Sequence, residues 1–90
     1  MTLTEKRIIA EANEMGYFPD AKQAGRIWAE MNREMDRRWT DKILNAPTEK
    51  ARRELKRQRN ADIMDCQRYS IVKVMDPEKT ESAKVVEKGQ

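Results

Sequence analysis

The sequence lacks histidine altogether, and it contains a single cysteine, Cys66, in 90 residues. Histidine is the side chain that general acid–base catalysis near neutral pH uses most often. One thiol makes neither an intramolecular disulfide nor a thiolate zinc site. With only three glycines, the chain also has no glycine-rich phosphate loop. The sequence therefore predicts a protein that is not an enzyme and that holds no cofactor or metal ion.

Long apolar segments are missing as well. Uninterrupted runs of large aliphatic residues do not exceed pairs, such as Ile8 and Ile9 or Val85 and Val86, whereas a membrane span needs about 20 apolar residues. The start of the chain, residues 1–7, contains charged side chains, and no apolar segment follows it as it would in a secretory signal. We therefore expect no membrane partner. The lone thiol favours a reducing compartment, so a cytoplasmic protein is predicted.

Large aliphatic residues are scarce throughout the chain. Leu, Ile, Val and Phe together supply 14 of the 90 residues. The core of so short a chain contributes little stability, on the order of 3–5 kcal/mol. Small domains without disulfides or metals gain stability by associating with other chains. We therefore expect a homo-oligomer or a complex with a larger protein partner.

Helical signals are the clearest pattern that the sequence does contain. Thr2 or Thr4 can cap a first helix over about residues 4–15, and Gly16 suits the left-handed position that follows a helix end. The N-terminal part of the chain is therefore predicted to be a short helix.

Two longer helical segments follow. Asp20 can cap a second helix, which should end near Asn45 because Pro47 disfavours helical geometry in the residue before it. Thr48 or Asn45 can then cap a third helix, which we expect to continue to about residue 74. Both segments are long enough to pack against each other along their length.

These segments predict a small all-α domain over residues 1–75 with about three helices. The second and third are consecutive and closely connected, so they should pack as an antiparallel hairpin, with the first helix across them. Residues 76–90 are predicted to be a C-terminal tail. The tail is either irregular or part of a short β-hairpin, because residues 69–75 and Val85-Val86 are rich in β-prone side chains.

A methionine–tryptophan stripe runs along one face of the second helix. Its apolar residues are three or four positions apart, and they are Trp28, Met31, Met35 and Trp39. The simpler interpretation is that the stripe forms the domain core and packs against the first helix, Phe18 and the third helix. The alternative is a surface for self-association or a partner, because tryptophan is enriched at interface hot spots and methionine adapts to varied surfaces.

Positive charge is concentrated in one basic segment, residues 50–59. The segment carries six cations against Glu54, although the net charge of the whole chain is only +3. On a helix, three of the cations share one face (Arg52, Lys56 and Arg59). Two others, Arg53 and Arg57, lie on an adjacent face. The six are Lys50, Arg52, Arg53, Lys56, Arg57 and Arg59. Guanidinium groups donate paired hydrogen bonds to phosphate oxygens, so the segment predicts contacts with nucleic acid.

Two other interpretations of the basic segment stay open. Acids on neighbouring helices can balance its charge, or the segment can bind an acidic protein surface. The leading prediction is a non-catalytic binding protein that acts on nucleic acid or on a nucleic-acid-bound protein machine. The alternative is a small regulatory or inhibitory protein that binds a larger protein through the methionine–tryptophan stripe or the basic helix.

Three further side chains, Cys66, Asp62 and Asp65, are of types that act in catalysis or metal binding, but their sequence context argues against both roles. Asp65 stands beside Cys66 and would raise the pKa of the thiol, so we interpret Cys66 as a half-buried small apolar residue. Asp62 and Asp65 lie three residues apart on a polar helix, which is more typical of solvated acids than of a Mg²⁺ site. Glu34 and Arg38 form a favourable pair on adjacent helical turns.

Overall fold

The computed structural model describes residues 3–79, and within that range the protein consists of three α-helices and no strand. Helix α1 spans Leu3–Glu14, α2 spans Ala21–Leu44 and α3 spans Glu49–Met75. The predicted all-α class is confirmed, and each predicted helix end lies within about one residue of the observed one.

Short-range signals set the helix ends. The Asp20 side chain accepts a hydrogen bond from the Gln23 backbone N–H at 2.8 Å, and the Gln23 side chain accepts one from the Asp20 N–H at 3.0 Å. Thr48 accepts a hydrogen bond from the Ala51 N–H at 3.0 Å at the start of α3. Gly16 adopts a φ of +90° just after α1. Each of these ends therefore depends on polar groups a few residues apart in sequence.

The core is small and lies where α1 crosses the hairpin of α2 and α3. Its members are all fully buried, and they are Ile8, Ala12, Ala24, Ile27 and Ile71. They come from α1, the N-terminal half of α2 and the C-terminal half of α3. Helix α1 therefore covers only one end of the hairpin.

Helices α2 and α3 pack antiparallel, as the sequence predicts. Lys73 Nζ lies 3.0 Å from Glu30 Oε2 near one end of the pair. Further along, Arg38 Nη1 donates to Asp62 Oδ2 at 3.0 Å. Since partners later in α2 contact residues earlier in α3, the two helices run in opposite directions.

The chain ends differ in detail from the expectations. Thr4 lies inside α1 and not at its N-cap, and Thr2 falls outside the described residues. Residues 69–75 belong to α3 and cannot form a β-hairpin strand, whereas Val85 and Val86 also lie outside the described part of the chain. After α3, the Asp76 N–H donates to the Val72 carbonyl at 2.7 Å, and a single turn follows over 77–79.

Gly25 weakens α2 without any packing reason. Apart from the adjacent residues and the local helix backbone, no atom lies within 4 Å of the place where a Cβ would stand. Because alanine favours a helix over glycine by about 1 kcal/mol, Gly25→Ala should raise the free energy of unfolding by about that amount in urea denaturation. Gly16→Ala is the control and should lower it by about 1–2 kcal/mol, because Gly16 is left-handed. Destabilisation by Gly25→Ala would contradict the expectation.

Candidate nucleic-acid interface

The basic segment lies on a two-helix arm, which we define as residues 35–44 of α2 and 49–62 of α3. Helix α1 contacts α3 farther along, through an ion pair between Glu11 and Arg68 with the atoms 2.6 Å apart. None of the residues from 35 to 65 is as buried as the core. The arm therefore projects past α1 and offers its cations to solvent.

The cations of the basic segment differ in exposure. Lys50, Arg53, Lys56 and Arg57 are exposed. Arg52 and Arg59 are half-buried, because they flank the side of α3 that packs on α2. The predicted shared face of Arg52, Lys56 and Arg59 is therefore partly occupied by packing.

A shallow depression marks the most accessible part of the segment. It lies at the start of α3 and is lined by Thr48, Lys50, Ala51, Arg53, Glu54 and Arg57. Three cations from successive turns thus surround one concave surface. The grouping differs from that expected from sequence, in which Arg52, Lys56 and Arg59 formed the main face.

Among residues 3–79, ion pairs involve only one cation of the basic segment. Arg57 Nη1 lies 3.7 Å from Glu54 Oε2, and both side chains are exposed. Among residues 3–79, no carboxylate lies within 4.0 Å of the nitrogen atoms of the other five cations. Balance by neighbouring helices, one of the open interpretations, is therefore not seen as ion pairs in the described part of the chain.

The methionine–tryptophan stripe lies at the edge of the hairpin and not at its centre. Trp28 is 46% exposed and Phe18 is 77% exposed, so neither is a core residue. Met31, Met35 and Trp39 are half-buried. The interpretation of the whole stripe as the domain core is therefore wrong, because polar residues on a neighbouring side of α2 also face α3.

That other side of α2 contains an ion network. The Glu34 side chain is only 8% exposed and accepts a hydrogen bond from Arg38 Nε at 2.7 Å. Arg38 Nη1 also donates to Asp62 at 3.0 Å and to Asp65 at 2.9 Å. Trp39 Nε1 donates to the same Asp62 oxygen at 2.9 Å. Polar groups therefore occupy part of the hairpin interior where the stripe was expected.

The network changes the proton affinity of its members. Burial opposes ionisation of Asp62, but hydrogen bonds from Trp39 and Arg38 outweigh it, and the pKa of Asp62 is lowered. Burial likewise opposes the charge of Arg38, yet its bonds to Asp65, Glu34 and Asp62 raise its pKa. Since the folded-state pKa of Asp62 is below the unfolded one, its stabilisation is present above the unfolded pKa and is lost as pH falls.

Cys66 is fully buried, not half-buried as expected. Its Sγ lies 3.4 Å from Asp62 Oδ2, to which it donates. Burial and the bond to Asp62 raise the pKa of the thiol to about 11. The thiol is therefore protonated at neutral pH and is a poor nucleophile. Asp62 and Asp65 both bind Arg38, which explains their spacing without a metal ion.

Comparisons with protein-family models, with curated proteins and with solved structures gave no match to this chain. Within residues 3–79, no helix combines the length and the apolar character that crossing a lipid bilayer requires.

The two tryptophans should differ in their contribution to stability. Trp39→Phe removes the hydrogen bond to Asp62 and should lower the free energy of unfolding by about 1–3 kcal/mol, because a half-buried carboxylate loses a donor. Trp28→Phe is the matched control and should change it by less than about 0.5 kcal/mol, because the Trp28 ring is largely in solvent. Urea denaturation followed by circular dichroism measures both. Equal effects would contradict the assigned role of Trp39.

Removing Arg38 should have the larger effect on the hairpin. Arg38→Ala leaves Glu34 with Arg37 as its remaining partner but removes a donor from Asp62 and from Asp65, and it should lower the free energy of unfolding by on the order of 3 kcal/mol. Arg33→Ala is the control, because Arg33 is 71% exposed and pairs only with Glu30, so a change below about 1 kcal/mol is expected. The same denaturation measurement applies, and a cost of Arg38→Ala no greater than that of the control would contradict the network's importance.

Proposed function

We propose that this chain is a non-catalytic binding protein that contacts the phosphate backbone of a nucleic acid through residues 50–59. The observation that carries the proposal is the set of unpaired cations on the arm. Lys50, Arg52, Arg53, Lys56 and Arg59 have no ion-pair partner among residues 3–79. Folding does not account for so many like charges in one place, whereas phosphate binding does.

The spacing of the exposed cations suits a charged polymer. Lys50 and Arg57 are seven residues apart on α3, which corresponds to about 10 Å along a helix axis. Successive phosphates of one DNA strand rise by about 3.4 Å, so the same distance covers about three of them. Arg53 lies between the two and faces the same depression. The three side chains can therefore contact neighbouring phosphates together.

The non-catalytic part of the proposal is supported by the state of the most reactive side chain. Cys66 is buried, and its thiol is held protonated beside Asp62. The carboxylates of Asp62 and Asp65 are occupied by Arg38. Cys66 and Asp62 are engaged within the hairpin, whereas Asp65 is exposed and serves as a partner of Arg38.

Salt-dependent binding tests the proposal. Fluorescence anisotropy with labelled single-stranded DNA, duplex DNA and RNA should show binding to at least one of them at low salt. The triple variant Lys50→Gln, Arg53→Gln and Arg57→Gln should reduce the log–log salt slope by about two to three, because each lost phosphate contact removes about 0.7–0.9 from the slope.

The control is a triple variant with the same loss of charge elsewhere. Lys6, Lys22 and Arg26 are exposed cations on α1 and α2, and their replacement by Gln should leave the salt slope within about 0.5 of wild type if contacts are local. Absence of binding at low salt to all three nucleic acids, or equal losses in the two triple variants, would overturn the proposal.

A regulatory or inhibitory protein is the second candidate, and the exposure of Trp28 favours it. The ring is 46% exposed and borders a groove lined by Thr4, Glu5 and Gly25. Exposed tryptophans beside grooves are typical anchors of protein interfaces. Absence of nucleic-acid binding, together with a protein partner that Trp28→Ala releases, would favour this candidate over the first.

A further inference from the structure

We propose that the outer face of α1 and the apolar groove beside it form a two-fold interface with a second copy of this chain. The outer face consists of Leu3, Arg7, Ala10 and Glu14, which are all exposed and are spaced four, three and four residues apart. Ile8 and Ala12 lie on the opposite face, in the core. The interface is separate from residues 50–59 and does not depend on the proposed function.

The groove supplies apolar surface for such a contact. It runs between α1 and α3, and Met31, Ile63 and Met64 are among its lining residues. Ile63 is 42% exposed and Met64 48%, and Leu3 at the start of α1 is 67% exposed. Together these side chains expose on the order of 300 Å² of apolar surface, which is within the range of patches that mark interfaces.

That area agrees with the needs of a small dimer. A small specific interface buries about 600 Å² on each partner, of which a little over half is apolar. The hydrophobic core cluster contains only five residues, two of them alanines, so burial of Leu3, Ile63 and Met64 would add appreciably to the apolar surface removed from water. A second copy therefore offers the stabilisation that the small core does not provide.

Charge complementarity selects a second copy as the occupant. Arg7 and Glu14 both line the groove. Neither lies within 4.0 Å of an opposite charge among residues 3–79, although Glu14 is near enough to Arg68 to help raise its pKa. They are seven residues, or about two helical turns, apart on one face. If two α1 helices pack antiparallel about an axis between Ala10 and Glu11, Arg7 of each copy faces Glu14 of the other.

The residues at the proposed axis fit a close approach. Ala10 has the smallest side chain that still favours a helix, so the two helices can come near each other there. Glu11 does not intrude, because its side chain is buried and accepts a hydrogen bond from Arg68 Nε at 2.6 Å. An isologous contact of this kind uses the same patch twice and closes on itself.

Charge reversal and rescue test the interface by sedimentation equilibrium at concentrations up to about 1 mM, which detects even weak dimers. Wild type should dimerise. Arg7→Glu and Glu14→Arg should each raise the dimer Kd about tenfold, because two ion pairs become two like-charge pairs. The double variant Arg7→Glu with Glu14→Arg should restore Kd to within about threefold of wild type, since the pairs re-form with reversed sign.

Two further variants keep the result specific. Arg26→Glu is the matched control on an exposed site of α2 and should leave the dimer Kd unchanged. Ala10→Arg should raise Kd by more than the single reversals, because it places bulk and charge at the axis. Far-UV circular dichroism checks that each variant is folded. A monomeric wild type, a dimer insensitive to both reversals, or a failure of the double variant to restore association would overturn the proposal.

Discussion

The hydrogen-bonded ion network around Arg38 is the interaction on which the rest of the structure depends. Arg38 joins Glu34 on its own helix to Asp62 and Asp65 on the next. Buried ion pairs add little net stability but disfavour arrangements that leave a charge unpaired. A slip of α3 along α2 would separate Arg38 from Asp62 and Asp65, and the Trp39 indole from Asp62. The network therefore fixes the register of the hairpin.

The polar interior also explains the surface of the molecule. Because Glu34 and Arg38 face α3, the tryptophans and methionines of α2 are turned towards its edge. Helix α1 covers the part of that edge near the core. The part that lies on the arm is not covered by α1. Of the large aliphatic residues that the structure describes, only Ile8, Ile27 and Ile71 belong to the core, and Leu3, Leu44 and Ile63 are exposed.

The sequence predicts the helices better than it predicts their buried sides. Asp20, Gly16 and Thr48 act on residues a few positions away, so their effects can be read from local spacing. The periodicity of Trp28 and Trp39 identifies an apolar face but does not show that an ion pair occupies the neighbouring interior. The Glu34–Arg38 pair can be recognised in the sequence, because the two residues are four positions apart and so lie on adjacent helical turns. Its partners Asp62 and Asp65 are brought in only by tertiary packing, and they look like solvated acids in the sequence.

The basic segment was predictable for a different reason. The distribution of charge along the chain follows from the order of its residues, so residues 50–59 are identifiable without knowledge of the fold. Which cations are accessible depends on the packing of α3, which half-buries Arg52 and Arg59 and leaves Arg53 exposed. Within the part of the chain that the structure describes, most of them have no ion-pair partner, which is likewise a result of three-dimensional placement.

No residue between positions 35 and 65 is as buried as the core. The local free energy of unfolding is therefore lower in the arm than in the core. Segments with few buried contacts open with a smaller free energy than the core, so amide protons of the arm exchange with solvent sooner than those near Ile27 and Ile71. Beyond the Arg38 network, little opposes fraying of the α2–α3 tip. Any molecule that binds the arm only when both of its helices are folded raises the local stability of the arm by mass action. With such a molecule bound, the order of the arm would depend on occupancy, while that of the core beneath α1 would not.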